Sequence, residues 1–319
     1  MEFNLHAVSS QEKERDFDVV IVGAGAAGFS AAVYAARSGF SVVILDKAVA
    51  GGLTAEAPLV ENYLGFKSIV GSELAKLFSD HAANYAKIRE GVEVRSIKKT
   101  ASGFDIETSD DTYHAKYVVI TTGTTHKHLG VKGESEYFGK GTSYCSTCDG
   151  YLFKGKRVVV IGGGNSGAIA AISMSEYVKD VTIIEYMPKY MCENAYVQEI
   201  KSRKIPYIMN AQVTEIVGDG KKVTGVRYKD RTSGEEKVIE TDGVFVYVGL
   251  IPQTSFLKDS GVKLDERGYI VVDSRQRTSV PGIYAAGDVT SGSFAQIASA
   301  VGDGCKAALS MYSDSISRK

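Results

Sequence analysis

Two of the four cysteines in this chain of 319 residues stand one helical turn apart, in the stretch Tyr144-Cys145-Ser146-Thr147-Cys148-Asp149-Gly150-Tyr151. Two thiols at this spacing can bind a metal ion, cycle between dithiol and disulfide, or form a structural disulfide. Zinc usually takes four ligands, but Cys192 and Cys305 are isolated along the chain, so no metal site is predicted. A structural disulfide over so short a loop would restrict the unfolded chain little. Reversible thiol–disulfide exchange is therefore the favoured use of the pair.

The composition indicates the kind of chain that carries this pair. Hydrophobic residues make up 44% and charged residues 24%, with a net charge of −1, which is typical of a globular chain and predicts no nucleic-acid partner. The length suggests about two domains. The first ten residues include Glu2 and no basic segment, so no signal peptide is predicted and a cytoplasmic location is expected. The uncharged run 19–36 could span a membrane by length alone, but its glycines and alanines favour another interpretation.

That run belongs to a predicted dinucleotide-binding turn. The β-branched stretch Phe17–Val22 predicts a buried strand, and Gly23-Ala24-Gly25-Ala26-Ala27-Gly28 follows it, with an Ala-rich helix to about Ser38. The first glycine permits the tight turn, the second lets the main chain approach a pyrophosphate, and the third lets helix pack on strand. A second strand, Ser41–Leu45, ends at Asp46, which can accept hydrogen bonds from ribose hydroxyls. Together these features favour a dinucleotide site over a plain glycine-rich turn, and they explain the run without a membrane.

The same order of elements recurs later in the chain. Arg157–Ile161 predicts a strand, Gly162-Gly163-Gly164-Asn165-Ser166-Gly167 a second glycine turn, and the next residues a helix to about Tyr177. The strand Val181–Ile184 then ends at Glu185. Two such turns suggest two different dinucleotides, commonly a flavin and a nicotinamide. The alternative is a second copy that packs but binds nothing.

A third segment indicates how the domains are arranged. Residues 282–288 predict a strand ending in Gly287-Asp288, with a helix from about Ala295, and such an acid can bind a ribitol hydroxyl. Because this segment follows the second glycine turn, the first domain is predicted to be discontinuous. The predicted class is α/β, with two Rossmann-like, three-layer domains built on parallel sheets: residues 1–120 plus 246–319, and an inserted domain of residues 121–245.

The chain crosses between the predicted domains twice, at residues 117–125 and 244–252, and these crossings could act as a double hinge. Each domain is also predicted to carry a β insertion. One is Phe104–Tyr117, and the other is Val213–Tyr228 around the Gly218-Asp219-Gly220 turn.

From about Asp16 onward, the chain resembles the low-molecular-weight thioredoxin reductases, which are two-domain FAD enzymes, and most of all their archaeal members. The residues that carry the resemblance are the first glycine turn, Ala50-Gly51-Gly52-Leu53, Val60-Glu61-Asn62, Thr121-Thr122-Gly123, Cys145-Ser146-Thr147-Cys148-Asp149-Gly150, Gly287-Asp288 and Ala295-Gln296-Ile297. The resemblance assigns FAD binding to the first glycine turn and to Asp46, Lys47, Gly51, Gly52, Leu53, Asn62, Gly123, Gly287, Asp288, Ala295, Gln296 and Ile297. Residues 1–15 fall outside it and are expected to form an extension.

The resemblance also implies a mechanism. Cys148 would face the flavin, Cys145 would attack the disulfide of a thioredoxin or glutaredoxin-like protein, and Asp149 would protonate the leaving thiolate. That last role needs a carboxyl whose pKa is raised by burial, and the alternative is a turn former with Gly150. Rotation of the inserted domain would bring dithiol and nicotinamide to the flavin in turn. A homodimer is also implied.

The donor side departs from the family pattern. Members that use NADPH carry a His-Arg-Arg cluster and a further Arg after the second strand of the inserted domain, where this chain has Glu185, Tyr186 and only Lys189 as a cation. Asn165 and Gly167 also stand where Asp and Ala are usual. NADPH is therefore not expected to be the preferred donor, NADH stays possible, and a ferredoxin or a reduced deazaflavin is the alternative.

The candidate residues for a nicotinamide dinucleotide are Gly162, Gly164, Asn165, Ser166, Gly167 and Glu185. A contrary interpretation is that Lys189 and a distant arginine such as Arg203 rebuild a phosphate site. The leading function is flavin-dependent reduction of a protein disulfide. Two alternatives stay open, an FAD-dependent dithiol oxidase that uses oxygen and a non-catalytic FAD-binding redox sensor.

Overall fold

The structure of the chain, a computed structural model, describes residues 14–57 and 60–317. Its strands are β1 (Asp16–Val22), β2 (Val42–Leu45), β3 (Lys87–Arg89), β4 (Val94–Lys99), β5 (Phe104–Thr108), β6 (Thr112–Ile120), β7 (Thr124–His126), β8 (Thr142–Ser143), β9 (Arg157–Ile161), β10 (Asp180–Ile184), β11 (Tyr207–Ile208), β12 (Ala211–Gly218), β13 (Val223–Asp230), β14 (Glu236–Glu240), β15 (Gly243–Val246), β16 (Leu250–Pro252) and β17 (Ile283–Ala285). Its α-helices are α1 (Ala26–Arg37), α2 (Gly52–Glu56), α3 (Gly71–Ala83), α4 (Ser146–Asp149), α5 (Asn165–Met174), α6 (Asn194–Ser202) and α7 (Ile297–Ser317). Among the described helices, none is both long and apolar enough to cross a membrane.

The chain forms two compact units. The first contains the described residues up to Gly52, then Ala75–Gly123 and the residues from Gln253 on, and the second contains Leu53–Leu74 and Thr124–Pro252. The domain boundaries predicted from the sequence place Leu53–Leu74 in the first domain instead. Each unit is built on a parallel sheet.

In the first unit, the strand order is β3-β2-β1-β6-β5-β4, and β17 pairs with β6. The pairs among β3, β2, β1, β6 and β17 are parallel, whereas β4, β5 and β6 pair antiparallel. Helices α1 and α7 lie against each other, because Gly304 has no side chain and a Cβ there would lie 2.1 Å from the Ala27 carbonyl oxygen. Ser30 Oγ also donates to the Val301 carbonyl at 2.7 Å.

The predicted insertion at Phe104–Tyr117 is not separate from the main sheet. The hairpin exists as β5 and the first part of β6, but β6 continues to Ile120 and pairs in parallel with β1. Side chains alternate between buried and exposed at the start of β6, whereas Val118–Ile120 are all buried. Strand β6 therefore pairs antiparallel with β5 and parallel with β1. Its burial pattern changes from alternating to continuous, and this change is visible only along the whole strand.

The second unit has a parallel sheet in the order β11-β10-β9-β15-β8, with α5 and α6 on it, and a separate antiparallel sheet, β12-β13-β14. The latter contains the predicted hairpin, which turns between Gly218 and Val223, and has β14 as a third strand that was not predicted. The two predicted crossings contain β7 and β16, which pair antiparallel with Leu250 opposite His126. Hinge motion at these crossings stays a prediction.

The observed element ends differ from the predicted ones by a few residues. Helix α5 ends at Met174 rather than near Tyr177, and α7 begins at Ile297 rather than at about Ala295. Ala295 has a φ of +50°, in the left-handed region, so it cannot open the helix. Of the predicted extension 1–15, residues 1–13 lie outside the described part, and Arg15 is already fixed because its Nε donates to Asp111 at 2.9 Å.

Candidate active site

The two glycine turns have the same internal hydrogen bonds. Asp46, after β2, accepts from the N–H groups of Ala24 at 2.7 Å and Ala48 at 2.8 Å. Glu185, after β10, accepts from Gly163 at 2.7 Å and Met187 at 2.8 Å. Each acid is thus fixed beside its turn, where a dinucleotide ribose is expected to bind.

The third glycine of each turn has the packing task that the sequence pattern assigns to it. A Cβ on Gly28 would lie 2.0 Å from the Gly23 carbonyl oxygen, and one on Gly167 would lie 1.9 Å from that of Gly162. These third glycines therefore allow the helix to pack on the strand. Around the middle glycines, Gly25 and Gly164, no other described residue lies within 4 Å of such a carbon, so the main chain is open to a ligand.

Further elements of the first unit meet its glycine turn. The Gly51 N–H donates to the Ala24 carbonyl at 2.7 Å, and a Cβ on Gly52 would lie 3.4 Å from the Gly25 Cα. Gly287, near the end of the chain, also lies against this turn, because a Cβ on Gly287 would lie 3.0 Å from the Ala27 Cβ. The structure thus brings together three of the sequence segments that the FAD prediction names.

Asp288 follows Gly287 in a short 3-10 helix, Gly287–Val289. Its carboxyl is mostly buried, and this burial raises its pKa to about 6. The like charge on Asp303 acts in the same direction, whereas a hydrogen bond from Ser293 Oγ at 3.3 Å opposes the shift. A buried carboxylate with one long hydrogen bond has acceptor capacity left for a ligand hydroxyl. This fits the predicted ribitol contact, which stays a prediction.

The remaining predicted FAD residues are less closely tied to this turn. Lys47 Nζ donates to Gln253 Oε1 at 3.0 Å, and Gln296 Nε2 donates to the Ala295 carbonyl at 3.1 Å. Leu53 and Asn62 belong to the second unit. The parts of Lys47, Leu53, Asn62, Gly123, Ala295, Gln296 and Ile297 in FAD binding stay predictions.

The second glycine turn has two contacts that the sequence analysis did not foresee. The Tyr207 hydroxyl donates to the Gly163 carbonyl at 2.9 Å, and a Cβ on Gly163 would lie 2.0 Å from that hydroxyl oxygen. At the start of α5, Asn165 Nδ2 donates to Glu193 Oε1 at 2.7 Å, and the Glu193 N–H donates to Asn165 Oδ1 at 2.8 Å. A second carboxylate therefore lies beside the expected phosphate position.

Two arginines of the second unit bear on a possible phosphate site. Arg203 donates to Glu199 at 2.6 Å and to Glu176 at 3.3 Å, and its Nη1 contacts Ser175 beyond the last residue of α5. It therefore lies at the end of α5 away from the glycine turn, and its predicted alternative role in a phosphate site is wrong. Arg231, which was not predicted, lies over the Tyr186 ring at 3.9 Å and donates to the Tyr186 carbonyl at 2.9 Å.

The cysteine pair lies in the second unit. Cys145 and Cys148 form a disulfide with their Cα atoms 5.3 Å apart. Cys145 is the N-cap of the short helix α4, and its Sγ accepts a hydrogen bond from the Cys148 N–H at 3.1 Å. Such a donor would also stabilise a thiolate on Cys145. The described residues contain no cluster of His, Cys, Asp and Glu that could hold a metal ion.

Asp149 lies directly after this pair and is 5% exposed. Burial raises the pKa of its carboxyl, and a 2.6 Å hydrogen bond from Ser143 Oγ to Oδ2 partly opposes that shift. The same Ser143 oxygen accepts from the Cys145 N–H at 3.0 Å. Oδ1 is buried and has no hydrogen-bond partner among the described residues. Asp149 thus has the environment that a general acid requires, and that role stays a prediction.

A family model for pyridine nucleotide-disulphide oxidoreductases matches residues 17–304 of this chain. The chain belongs to that family. Thioredoxin reductase of Listeria monocytogenes is 40% identical over 300 residues, which are 92% of each chain. The crystal structure of T. acidophilum thioredoxin reductase has 94% identity and a TM-score of 0.68, covering 95% of this chain and 100% of that one. Thioredoxin reductase from Streptococcus pyogenes MGAS5005 has 34% identity and a TM-score of 0.88, covering 96% and 100%.

These relatives confirm the predicted resemblance to the low-molecular-weight thioredoxin reductases and the predicted fold class. As a member of the pyridine nucleotide-disulphide oxidoreductases, the chain is a flavoprotein oxidoreductase that acts on sulfur groups through a redox-active disulfide. The family implies FAD and a pyridine nucleotide. The open first glycine turn, with Asp46 beside it and the buried carboxyl of Asp288, fits an FAD.

Proposed function

We propose that this chain reduces the disulfide of thioredoxin, or of a similar small redox protein, through the Cys145–Cys148 dithiol. The observation that carries the proposal is the Cys145–Cys148 disulfide with the buried carboxyl of Asp149 directly after it. The thioredoxin reductases among its relatives support the choice of acceptor. A homodimer and a cytoplasmic location are part of the proposal through the same resemblance.

The two sulfurs have different roles in this proposal. The Cys145 thiolate attacks one sulfur of the partner disulfide, which forms a mixed disulfide and releases the other partner sulfur as a thiolate. The Cys148 thiolate then attacks Cys145 Sγ, which releases the second partner thiol and reforms the Cys145–Cys148 bond. A flavin held by the first glycine turn, once reduced by the electron donor, would supply the two electrons that reduce this bond again. The Cys148 N–H at 3.1 Å from Cys145 Sγ supports Cys145 as the attacking thiolate.

Asp149 supplies the proton for the departing thiolate. Its carboxyl follows Cys148 directly, and burial raises its pKa, so more of it is protonated near neutral pH than of an exposed aspartate. Ser143 holds Oδ2 and leaves Oδ1 for proton transfer. The same hydroxyl positions the Cys145 N–H, which ties the acid to the attacking residue.

The donor side of the proposal is that NADPH is not preferred. Glu185 is buried beside the second glycine turn, where the adenosine ribose is expected to lie. A carboxylate about 4 Å from the 2′-phosphate of NADPH costs about 4 kcal/mol at an effective dielectric near 20. Before screening by solvent, this lowers the affinity for NADPH on the order of a thousandfold. Arg231 is a cation that could offset this repulsion. Its Nη1 group, however, already donates to the Tyr186 carbonyl and to Asn210 Oδ1.

NADH lacks the 2′-phosphate that Glu185 would repel, and the hydroxyls of its adenosine ribose could donate to the Glu185 carboxylate. It is therefore the nicotinamide that the second turn suits better. A ferredoxin or a reduced deazaflavin is the proposed donor if both nicotinamides react slowly.

The test is anaerobic mixing of the oxidised enzyme with NADPH or NADH while the flavin absorbance is followed, and then addition of oxidised thioredoxin or oxygen. We expect slow bleaching by NADPH and fast reoxidation by thioredoxin. Rapid bleaching at micromolar NADPH would refute the donor proposal. Reoxidation by oxygen alone would refute the acceptor proposal and favour a dithiol oxidase, and a flavin that reacts with neither would favour a sensor.

Glu185→Gln provides a matched variant for the donor proposal. The amide keeps the size of the side chain and an acceptor oxygen for one of the two N–H groups that Glu185 now binds. We expect this variant to gain affinity for NADPH relative to NADH. Equal change for both nucleotides would show that the charge of Glu185 does not select between them.

A further inference from the structure

Tyr247, the residue after β15, contacts the redox-active turn through its hydroxyl group. This hydroxyl accepts a hydrogen bond from the Ser146 N–H at 2.7 Å and donates one to Ser146 Oγ at 2.7 Å. Ser146 is 8% exposed and lies between the two cysteines in sequence. Burial raises the pKa of Tyr247, so the hydroxyl keeps its proton and remains a donor at neutral pH. The sequence analysis did not single out either residue for chemistry.

Hydroxyl groups therefore hold the main chain of the redox turn on both sides of Cys145. Before the first sulfur, Ser143 Oγ accepts from the Cys145 N–H at 3.0 Å. After it, Tyr247 holds the Ser146 N–H, which is the first N–H of α4 and has no partner within the helix. These two anchors fix the main chain around Cys145, which carries one of the two sulfurs.

The main chain of Tyr247 is itself immobilised. Its N–H donates to the Ile161 carbonyl at 2.7 Å, and its carbonyl oxygen lies 2.2 Å from the place that a Cβ on Gly162 would occupy. Tyr247 thus packs against the first glycine of the second glycine turn. A side chain that starts from such a position can hold Ser146 with little freedom of its own.

We propose that Tyr247 is a positioning residue for the redox-active disulfide, which acts by holding Ser146 so that the Cys145 and Cys148 sulfurs stay together. This inference deepens the proposed function and rests on the redox use of that pair. A turn that keeps two thiols adjacent raises their effective concentration for ring closure, and so favours the disulfide over the dithiol. Removal of the Tyr247 hydroxyl therefore shifts the couple toward the dithiol, which makes its reduction potential less negative.

The test is a redox titration of the holoenzyme in buffers of reduced and oxidised dithiothreitol, with the free thiols alkylated and counted by mass spectrometry. Tyr247→Phe removes both hydrogen bonds, and we expect a shift of about tenfold in the dithiol–disulfide equilibrium, which is about 30 mV for a two-electron couple. Ser146→Ala keeps the backbone N–H and removes only one bond, so a smaller shift in the same direction is expected. The double variant should shift no further than Tyr247→Phe alone.

Tyr228→Phe is the matched control, because this buried tyrosine of the same unit lies in β13, which belongs to the separate sheet β12-β13-β14. It should leave the potential unchanged. An unchanged potential in a folded Tyr247→Phe enzyme, or additive shifts in the double variant, would overturn the inference. Failure of the proposed function looks different, since full turnover by a Cys145→Ser enzyme would refute the dithiol mechanism whatever the potential does.

Discussion

The buried carboxyl of Asp288 is expected to weaken the flavin-free chain at neutral pH while it strengthens FAD binding. Burial is the main cause of its raised pKa, and its one hydrogen bond among the described residues, from Ser293, is long at 3.3 Å. A negative charge held there is poorly solvated until a ligand hydroxyl binds it. Asp288→Asn removes the charge with almost no change in shape, and so separates the two effects.

The magnitude follows from the two pKa values. The folded chain has a pKa of about 6 for Asp288 against an ordinary value of 3.8. Between these values the folded state keeps a proton that the unfolded state has lost, so stability falls as the pH rises through this window. The full cost, reached above about pH 6, is at most about 3 kcal/mol at 1.36 kcal/mol per pH unit. Asparagine does not ionise and avoids this cost.

The assay is urea unfolding of the flavin-free proteins at about pH 4.5 and pH 7.5. We expect the stability advantage of Asp288→Asn to grow by about 2 kcal/mol between these two pH values. The same variant should bind FAD more weakly by about 1 kcal/mol, because a neutral amide oxygen replaces the charged acceptor of a hydrogen bond. Asp259→Asn, an exposed site in the same unit, is the control. A stability difference that does not depend on pH, or unchanged FAD affinity, would refute the reasoning.

Three further predictions concern the redox turn and the C-terminal helix. Cys145→Ser should abolish turnover and leave FAD bound, whereas Cys148→Ser should accumulate a mixed disulfide with the partner that a non-reducing gel detects; full activity of either contradicts the mechanism. Ser143→Ala removes a hydroxyl that stabilises the ionised form of Asp149, so the pKa of Asp149 should rise and the alkaline limb of the pH–activity profile should move to higher pH. An alkaline limb that does not move argues against Asp149 as the general acid. The Arg277 guanidinium holds the pKa of Asp314 at about 2, so this pair stabilises the fold above pH 3.8 and the gain is lost as pH falls toward 2. Asp314→Asn should therefore cost roughly 1–2 kcal/mol at pH 7 in urea unfolding, after a discount for partial exposure, and almost nothing near pH 2.

Local patterns allowed the glycine turns to be predicted from the sequence. A strand, three spaced glycines, a helix and an acid lie within about thirty residues. The structure shows the close packing predicted at Gly28 and Gly167 and places Asp46 and Glu185 beside their turns. The cysteine pair is local in the same sense. In these cases the residues that must meet in space are also neighbours along the chain.

The contacts that complete the candidate site join residues far apart in sequence. Tyr247 and Ser146 are separated by 101 positions, and Tyr207 and Gly163 by 44. A tyrosine in or beside a strand is an ordinary residue for a sheet, so no spacing or composition distinguished either of them. Arg203 shows the reverse error, because a cation was considered for a phosphate site by its type alone and the fold uses it at the other end of α5.

The pairing of α1 with α7 and of β6 with β17 has a consequence for synthesis of the protein. Residues 27 and 304 meet in the first unit, and so do Val118 and Ile283, so its sheet and helix layer stay incomplete until residues 283–304 have left the ribosome. Thr124–Pro252, in contrast, is made before that moment and contains all the strands of its parallel sheet. Since domains fold largely in the order of synthesis, we expect this segment to fold first. The first unit would then be completed later, when Gly287 reaches the glycine turn of that unit.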